Sequence, residues 1–345
     1  MPTIKNPVTI IQGGTPAPTR PTTWAEFKAL STTAAQALYP EGSVVDIACT
    51  LVNLANTSQT LTWDWIVASY GTCRLENDTT DYPCVTLVSR DCTPGSYAFD
   101  QPEQTVADST TEPTAVAGTY YYGTQTASGT PATADTTALN LTAGDTIPYG
   151  DYARILKSSI NTTVGNFRNL WSNGYNNYPL SNIRQWLNAD AAGSSWFTPS
   201  HVGDTAPSYQ TQPGFLYCLP SDFKAVISAT AVDTALNPVT DGGVTETTYD
   251  KIFLPSQYEL RCVSSPVEGT IWAFVQRIRN RIWSSAASSV ITFPNTQAAT
   301  NVWLRSASRD NVGSSYYVYS NGSPSSYNAS YTCCVAPACR IILAS

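Results

Sequence analysis

One stretch near the end of the chain limits what it can fold into more than any other. From Arg309 to Cys333 run 25 residues, of which five are Tyr, seven Ser, three Asn and two Gly, with no lysine or glutamate among them. A pair of core strands needs alternating apolar residues, and only Val312, Val318 and Ala329 supply that pattern here. The flanks differ sharply. Val302, Trp303 and Leu304 on one side, and Ala336, Ile341, Ile342 and Leu343 on the other, read as fixed strands. The segment therefore reads as adaptable surface held between strands that end near Ser308 and resume near Cys334. Tyr offers broad amphipathic contact at low entropic cost, and Ser, Asn and Gly offer adaptable hydrogen bonds, the mixture found in antibody paratopes.

The rest of the composition agrees with a display surface. The hydrophobic fraction is 42%, enough for a globular core, but the charged fraction is 12%, half the roughly 25% of an average soluble domain. Thr, Ser, Asn and Tyr carry the polarity, as in secreted or virion proteins built for adhesion. With a net charge of -7 and a pI near 4.7, and with Arg277, Arg279 and Arg281 as the densest basic group, the footprint needed to neutralise phosphates is missing. Nucleic acid is therefore not an expected partner. No stretch approaches the roughly 20 apolar residues of a membrane span, and Met1–Thr9 does not read as a secretory signal. If the chain works outside a cell, release of a phage particle by lysis is one route.

Pro2, Pro7, Pro16, Pro18 and the pair Gly13-Gly14 punctuate the start of the chain, which argues for an extended arm. Thr23 and Glu26 have capping-box spacing and start a short helix with Trp24, Phe27 and Leu30 on one face. We assign residues 1–38 to an arm and helix for assembly or oligomerisation, and 39–345 to one domain. Within it, Ser43–Leu51, Leu61–Tyr70 and Cys84–Ser89 read as strands, and residues 100–148 as a loop-rich insertion. Helices are expected at Asp151–Ser159, at Leu180–Asn188 behind a Ser181 cap, and at Leu254–Leu260, where Ser256 and Glu259 repeat the capping-box spacing. Helices in the middle and strands at both ends point to an α+β domain whose first and last strands pair.

Three ordered stretches carry a resemblance: Ser181–Asn188 (SNIRQWLN), Lys251–Ser256 (KIFLPS) and Val302–Ser308 (VWLRSAS), extended by Asn321-Gly322 and Val335–Ile341 (VAPACRI). Together they resemble the landmarks of bacterial and phage C-type-lectin-like domains, a class related in fold to the formylglycine-generating enzyme. Within that class the 301–345 tail is similar to the variable proteins of diversity-generating retroelements, among them phage receptor-binding tail proteins. Adenine-directed changes in Asn codons yield Asn, Ser, Tyr, Asp, Gly, Thr, Cys, Arg and Pro among their outcomes, and these dominate the segment. The resemblance implies an α+β C-type-lectin-like fold with short helices, a mixed or antiparallel sheet and long loop insertions. It also implies a ligand-binding protein with no cofactor, a homotrimer on a virion tail tip, that recognises a host cell-surface receptor. A host-encoded surface display protein and a virion decoration protein remain alternatives. The expected contact residues are Asp310, Asn311, Gly313, Ser314, Ser315, Tyr317, Tyr319, Ser323, Ser325, Ser326, Tyr327, Asn328, Ser330 and Tyr331.

Catalytic and metal chemistry find little support. The single histidine, His201, lies among turn residues and has no nucleophile elbow near it. Cys334 and Cys339 do not map onto the catalytic cysteines of the enzyme relative. Sugar-binding C-type lectins use Glu-Pro-Asn or Gln-Pro-Asp triplets around calcium; neither occurs, and Asp310 is the only carboxylate side chain from Asn301 to Ser345. Nine cysteines without a C-x-x-C pair argue against the usual zinc spacing, leaving buried thiols or disulfides formed after release. No catalytic residue, metal ligand or cofactor is assigned.

Overall fold

The computed structural model describes residues 18–54, 60–102, 173–200, 204–237, 241, 243–275, 301–309, 311, 313–319 and 323–344, with the backbone alone at 118–123, 134–141 and 152–155. Most of the expected arm, His201 and Asp310 lie outside these residues.

The capping box at Thr23 forms. Thr23 Oγ1 accepts from the Glu26 amide at 3.2 Å, and the Glu26 carboxylate accepts from the Thr23 amide at 3.2 Å. It starts α1 (Trp24–Lys28), and Ser31 caps α2 (Thr32–Leu38). Trp24 and Phe27 are fully buried, with Trp24 meeting the Phe223 ring edge-on at 4.5 Å. The apolar side of α1 therefore packs on the domain itself.

Five strands follow: β1 (Val44–Val45), β2 (Thr50–Val52), β3 (Thr60–Thr62), β4 (Trp65–Cys73) and β5 (Tyr82–Ser89). The strand expected over Ser43–Leu51 is split, because the chain between β1 and β2 turns to bring Asp46 onto the Tyr39 hydroxyl at 2.6 Å. After β6 (Tyr97–Ala98), the stretch expected to be loop-rich contains β7 (Gly118–Gly123) and β8 (Ala134–Leu141), paired antiparallel. The helix expected at Asp151–Ser159 is a further correction. Tyr152–Ile155 runs as strand β9 against β7, because the neighbouring strand supplies the backbone partners that one helical turn would have had to make alone.

The Ser181 cap is as expected and opens α3 (Asn182–Asn188), which buries Ile183, Trp186 and Leu187. Two single-turn helices, α4 (Phe215–Cys218) and α5 (Ser221–Lys224), follow, and short 3-10 helices span Tyr178–Leu180 and Ser208–Thr211. The remaining strands are β10 (Thr230–Ala235), β11 (Thr245–Asp250), β12 (Ile252–Phe253), β13 (Val302–Ala307), β14 (Ser314–Val318), β15 (Pro324–Asn328), β16 (Thr332–Cys333) and β17 (Ala338–Ile342). No helix forms at Leu254–Leu260. Its capping contacts are present, with Glu259 N donating to Ser256 Oγ at 3.0 Å and Ser256 N to Glu259 Oε2 at 2.9 Å. However, Arg261 turns to φ +57° and stops the chain after one turn.

The largest sheet runs β1-β4-β5-β17-β12, every neighbour antiparallel. The last strand thus joins the early strands, but it pairs with β5 and β12 rather than with the first strand. Beside this sheet lies a core of aromatic rings: Tyr97 stacks on Trp186 at 4.2 Å, and Trp186 meets Phe215 at 5.7 Å. The architecture is α+β, dominated by antiparallel strands. Among the described residues no helix is long and apolar enough to cross a membrane.

Candidate ligand-binding face

The polar segment rests on β13, and all six residues of that strand are buried. Trp303 is fully enclosed, its indole N–H donating to the Tyr97 carbonyl at 2.8 Å and its ring meeting Phe99 and Tyr317 edge-on. Arg305, also without solvent exposure, donates to Glu259 Oε2 at 2.6 Å and to the carbonyls of Leu254, Asp233 and Glu268 at 2.8, 3.0 and 2.9 Å. A buried charge is tolerable only when its donors are met in this way. Burial holds the Glu268 carboxyl above its ordinary range, while Arg305, Ser306 and the Ala235 amide oppose that shift.

Three strands form the face, in the order β13-β14-β15. β14 is the central strand, so both of its edges are paired and its side chains lie mostly inside. Ser315 is fully buried, its hydroxyl directed to the Ser306 carbonyl at 3.1 Å and the Leu304 carbonyl at 3.4 Å. Gly313, Ser314 and Tyr317 are buried too. These four members of the expected contact set sit beneath the face; at Ser315 the two carbonyl partners make burial of the hydroxyl tolerable.

β15 is the edge strand and faces outward. Tyr319, Tyr327 and Tyr331 are exposed by 42%, 43% and 48%. Their rings are in mutual contact around Tyr317: Tyr317–Tyr319 at 4.9 Å, Tyr317–Tyr327 at 6.1 Å and Tyr327–Tyr331 at 4.1 Å. Burial, then its bond to Tyr319, pushes the Tyr317 phenol up to about 12, and the same bond holds Tyr319 below its ordinary value. Half-buried Ser325 stands across from Tyr317 on the same side of the sheet, whereas Ser326 is exposed on the opposite side, across from Tyr316, and Ser323, Asn328 and Ser330 are half-buried.

The turn that leads into β14 is pinned from below. Asn176, fully buried, directs its amide nitrogen to the carbonyls of Ser308, Asn311 and Ser314 at 3.0, 2.8 and 2.8 Å, and Asn237 reaches the Ser308 carbonyl at 2.6 Å. Asn311 is half-buried and uses its own side-chain oxygen to hold the Gly313 amide at 3.0 Å. On the far side the Asn173 side-chain oxygen accepts from Asn328 Nδ2 at 3.0 Å, and its backbone carbonyl accepts from the Ser330 amide at 2.7 Å. Asn173, Asn176 and Asn237 were invisible to sequence reasoning, since nothing local ties them to a segment more than 70 residues away. Tyr316 and Thr332, half-buried and exposed respectively, belong to the polar segment itself but not to the expected set.

The described part of the face is thus an aromatic and hydroxyl surface resting on the buried strand β13. Among the described residues no group of three or more His, Cys, Asp or Glu is placed to hold a metal ion. None of the nine cysteines is in a disulfide; eight are buried and Cys262 is half-buried.

Fold and face together define an α+β protein that presents a tyrosine-rich surface from a three-stranded antiparallel sheet. Residues 153–343, more than half of the chain, match the family described as Domain of unknown function (DUF6273), and the chain belongs to that family. The matched region holds the whole face but not β5, with which its last strand pairs. No curated protein and no solved structure matches the chain.

Proposed function

We propose that this chain is a ligand-binding protein whose contact surface is the outer side of β15 and the turns at its two ends. The observation that carries the reading is the cluster of Tyr319, Tyr327 and Tyr331, each more than 40% exposed yet backed by the buried Tyr317 and Trp303. Exposed tyrosines held by a packed base lose little freedom on binding, which is how such residues become anchors of an interface. The supporting strand β13 is buried along its whole length, so substitutions on the outer side need not disturb the core.

The resemblance to C-type-lectin-like variable proteins supports the more specific reading. In it, the tail is diversified by a retroelement and the protein serves as a receptor-binding component of a phage tail, assembled as a trimer on the virion and directed at a host surface protein. On this reading, solvent exposure narrows the contact set to Asn311, Tyr319, Ser323, Ser325, Ser326, Tyr327, Asn328, Ser330 and Tyr331, with Asp310 retained from the sequence. A reverse-transcriptase gene and a near-copy of the tail's coding sequence, differing at adenines, are expected in the neighbouring DNA. Adsorption of the purified chain to intact host cells should be lost in a Tyr327→Ala, Tyr331→Ala variant. Full adsorption by that variant, in a chain that still folds, would show that the face is not the contact surface.

A further inference from the structure

The hairpin of β4 and β5, joined by residues 74–81, places two thiols on one face of the sheet. Its turn is held by Asp78, which accepts from the Thr80 amide at 2.8 Å and from the Tyr82 hydroxyl at 2.7 Å. The resulting register pairs Cys73 with Tyr82 and Gly71 with Cys84, so Cys73 and Cys84 are diagonal neighbours on one face of the sheet. Both thiols are buried in that face. On β17, Arg340 lies across from Thr86 and shares that same face.

These residues line a cavity of ≈ 420 Å³ that also takes in Ser69, Gly71 and Thr86. Gly71 explains why there is room. It stands directly opposite Cys84, and a Cβ placed on it would meet nothing within 4 Å. A reagent in the cavity therefore reaches the sulfurs through the space that a side chain at residue 71 would fill.

The two thiols are chemically unequal. The bond from Cys84, then the nearby Arg340 charge, holds Cys73 below the ordinary thiol value, although burial and Asp81 oppose this. Cys84 is pushed up by its bond to Cys73 and by burial. Burial, foremost, raises Cys49, Cys92, Cys218 and Cys333 to about 12, so those thiols are poor nucleophiles.

We propose that Cys73 and Cys84 form a redox-active dithiol, oxidised reversibly to a cross-strand disulfide by exchange with a small-molecule disulfide that enters this cavity. The Cys73 thiolate attacks one sulfur of the disulfide R–S–S–R, forming a Cys73–S–S–R bond and releasing one RS⁻. Cys84 then gives up its proton, and its thiolate attacks the Cys73 sulfur, releasing the second RS⁻. The protein loses two electrons and two protons; the small disulfide gains both and leaves as two RSH. This site is separate from the tyrosine face and does not depend on its assignment.

The test uses the full chain and oxidised glutathione in oxygen-free neutral buffer, followed by intact mass and peptide mapping. The expected product has lost two hydrogens, carries no adduct, links Cys73 to Cys84 and reverts with dithiothreitol. Cys84→Ser should trap glutathione on Cys73, whereas Cys73→Ser should leave Cys84 unmodified over the same interval. Gly71→Val should fill the access space and slow oxidation by about tenfold or more, with an unchanged far-ultraviolet circular dichroism spectrum. Three outcomes would overturn the proposal: a different first bridge, a Cys84→Ser chain without an adduct on Cys73, or a Gly71→Val chain that oxidises as fast as the parent.

Discussion

Arg305 and Glu259 form an ion pair with 2.6 Å between Nη1 and Oε2, and neither side chain reaches solvent. The pair joins β13, the base of the tyrosine face, to the turn that follows β12. Removing one partner strands the other charge in the interior, so Arg305→Ala or Glu259→Ala should cost about 3–5 kcal/mol. The exposed pair of Arg90 and Asp64 offers the contrast: at 47% and 34% side-chain exposure, its loss should cost about 1 kcal/mol or less. Urea unfolding of these variants checks both magnitudes.

The tyrosines should separate by depth. Tyr327→Ala and Tyr331→Ala remove exposed rings and should each change stability by about 0.5 kcal/mol or less. Trp303→Ala empties an enclosed site and should cost about 3–5 kcal/mol. Thermal unfolding reads the difference, and equal losses at Tyr331 and Trp303 would contradict the placement of the face.

A parallel contrast holds for serines. Ser326 is open to solvent and should accept Asn, Tyr or Arg without loss of fold. Ser315 has no exposed surface and two carbonyl partners, so Ser315→Leu should cost about 1–3 kcal/mol from overpacking alone. If the tail is diversified, sequences drawn from one population should vary at Ser326, Tyr327 and Tyr331 and stay constant at Ser315.

Alkaline pH should weaken the fold. Burial raises Cys49, Cys92, Cys218 and Cys333 from an ordinary value of 9.0 to about 12. The unfolded chain releases these protons first, so stability is intact below the unfolded value and is lost as the pH climbs from 9 toward 12. At about pH 10 each thiol accounts for about 1 kcal/mol of the loss. Buried Tyr178 and Tyr209, whose phenols are also raised by burial, extend the decline at still higher pH. Urea midpoints measured from about pH 8 to about pH 11 under reducing conditions should fall steadily; a flat profile would mean these groups open to water in the native state.

Local chemistry was legible wherever it closed within a few residues. Thr23 and Glu26, and Ser181 ahead of α3, cap helices as their spacing requires. The same spacing misled at Ser256 and Glu259. Their reciprocal bonds exist, but Glu259 is claimed by Arg305, which lies 46 residues further along, and the chain turns away after one turn. Tyr152 and Ile155 misled for a related reason: β9 exists because β7 offers it an edge, and nothing in the adjacent sequence announces that.

For the face itself, the chain alone determined that a tyrosine, serine and asparagine segment lies between two buried strands, because polarity and apolar runs are written residue by residue. Only the tertiary structure decided which of those residues reach the outside. β14 lies between β13 and β15, so Ser315 and Tyr317 are enclosed while Ser326 and Tyr327 on the edge strand are not. A serine that finds a carbonyl partner is as stable inside as one that finds water. Burial at such a position therefore depends on which strands lie on either side, and that is settled by contacts far away in the chain.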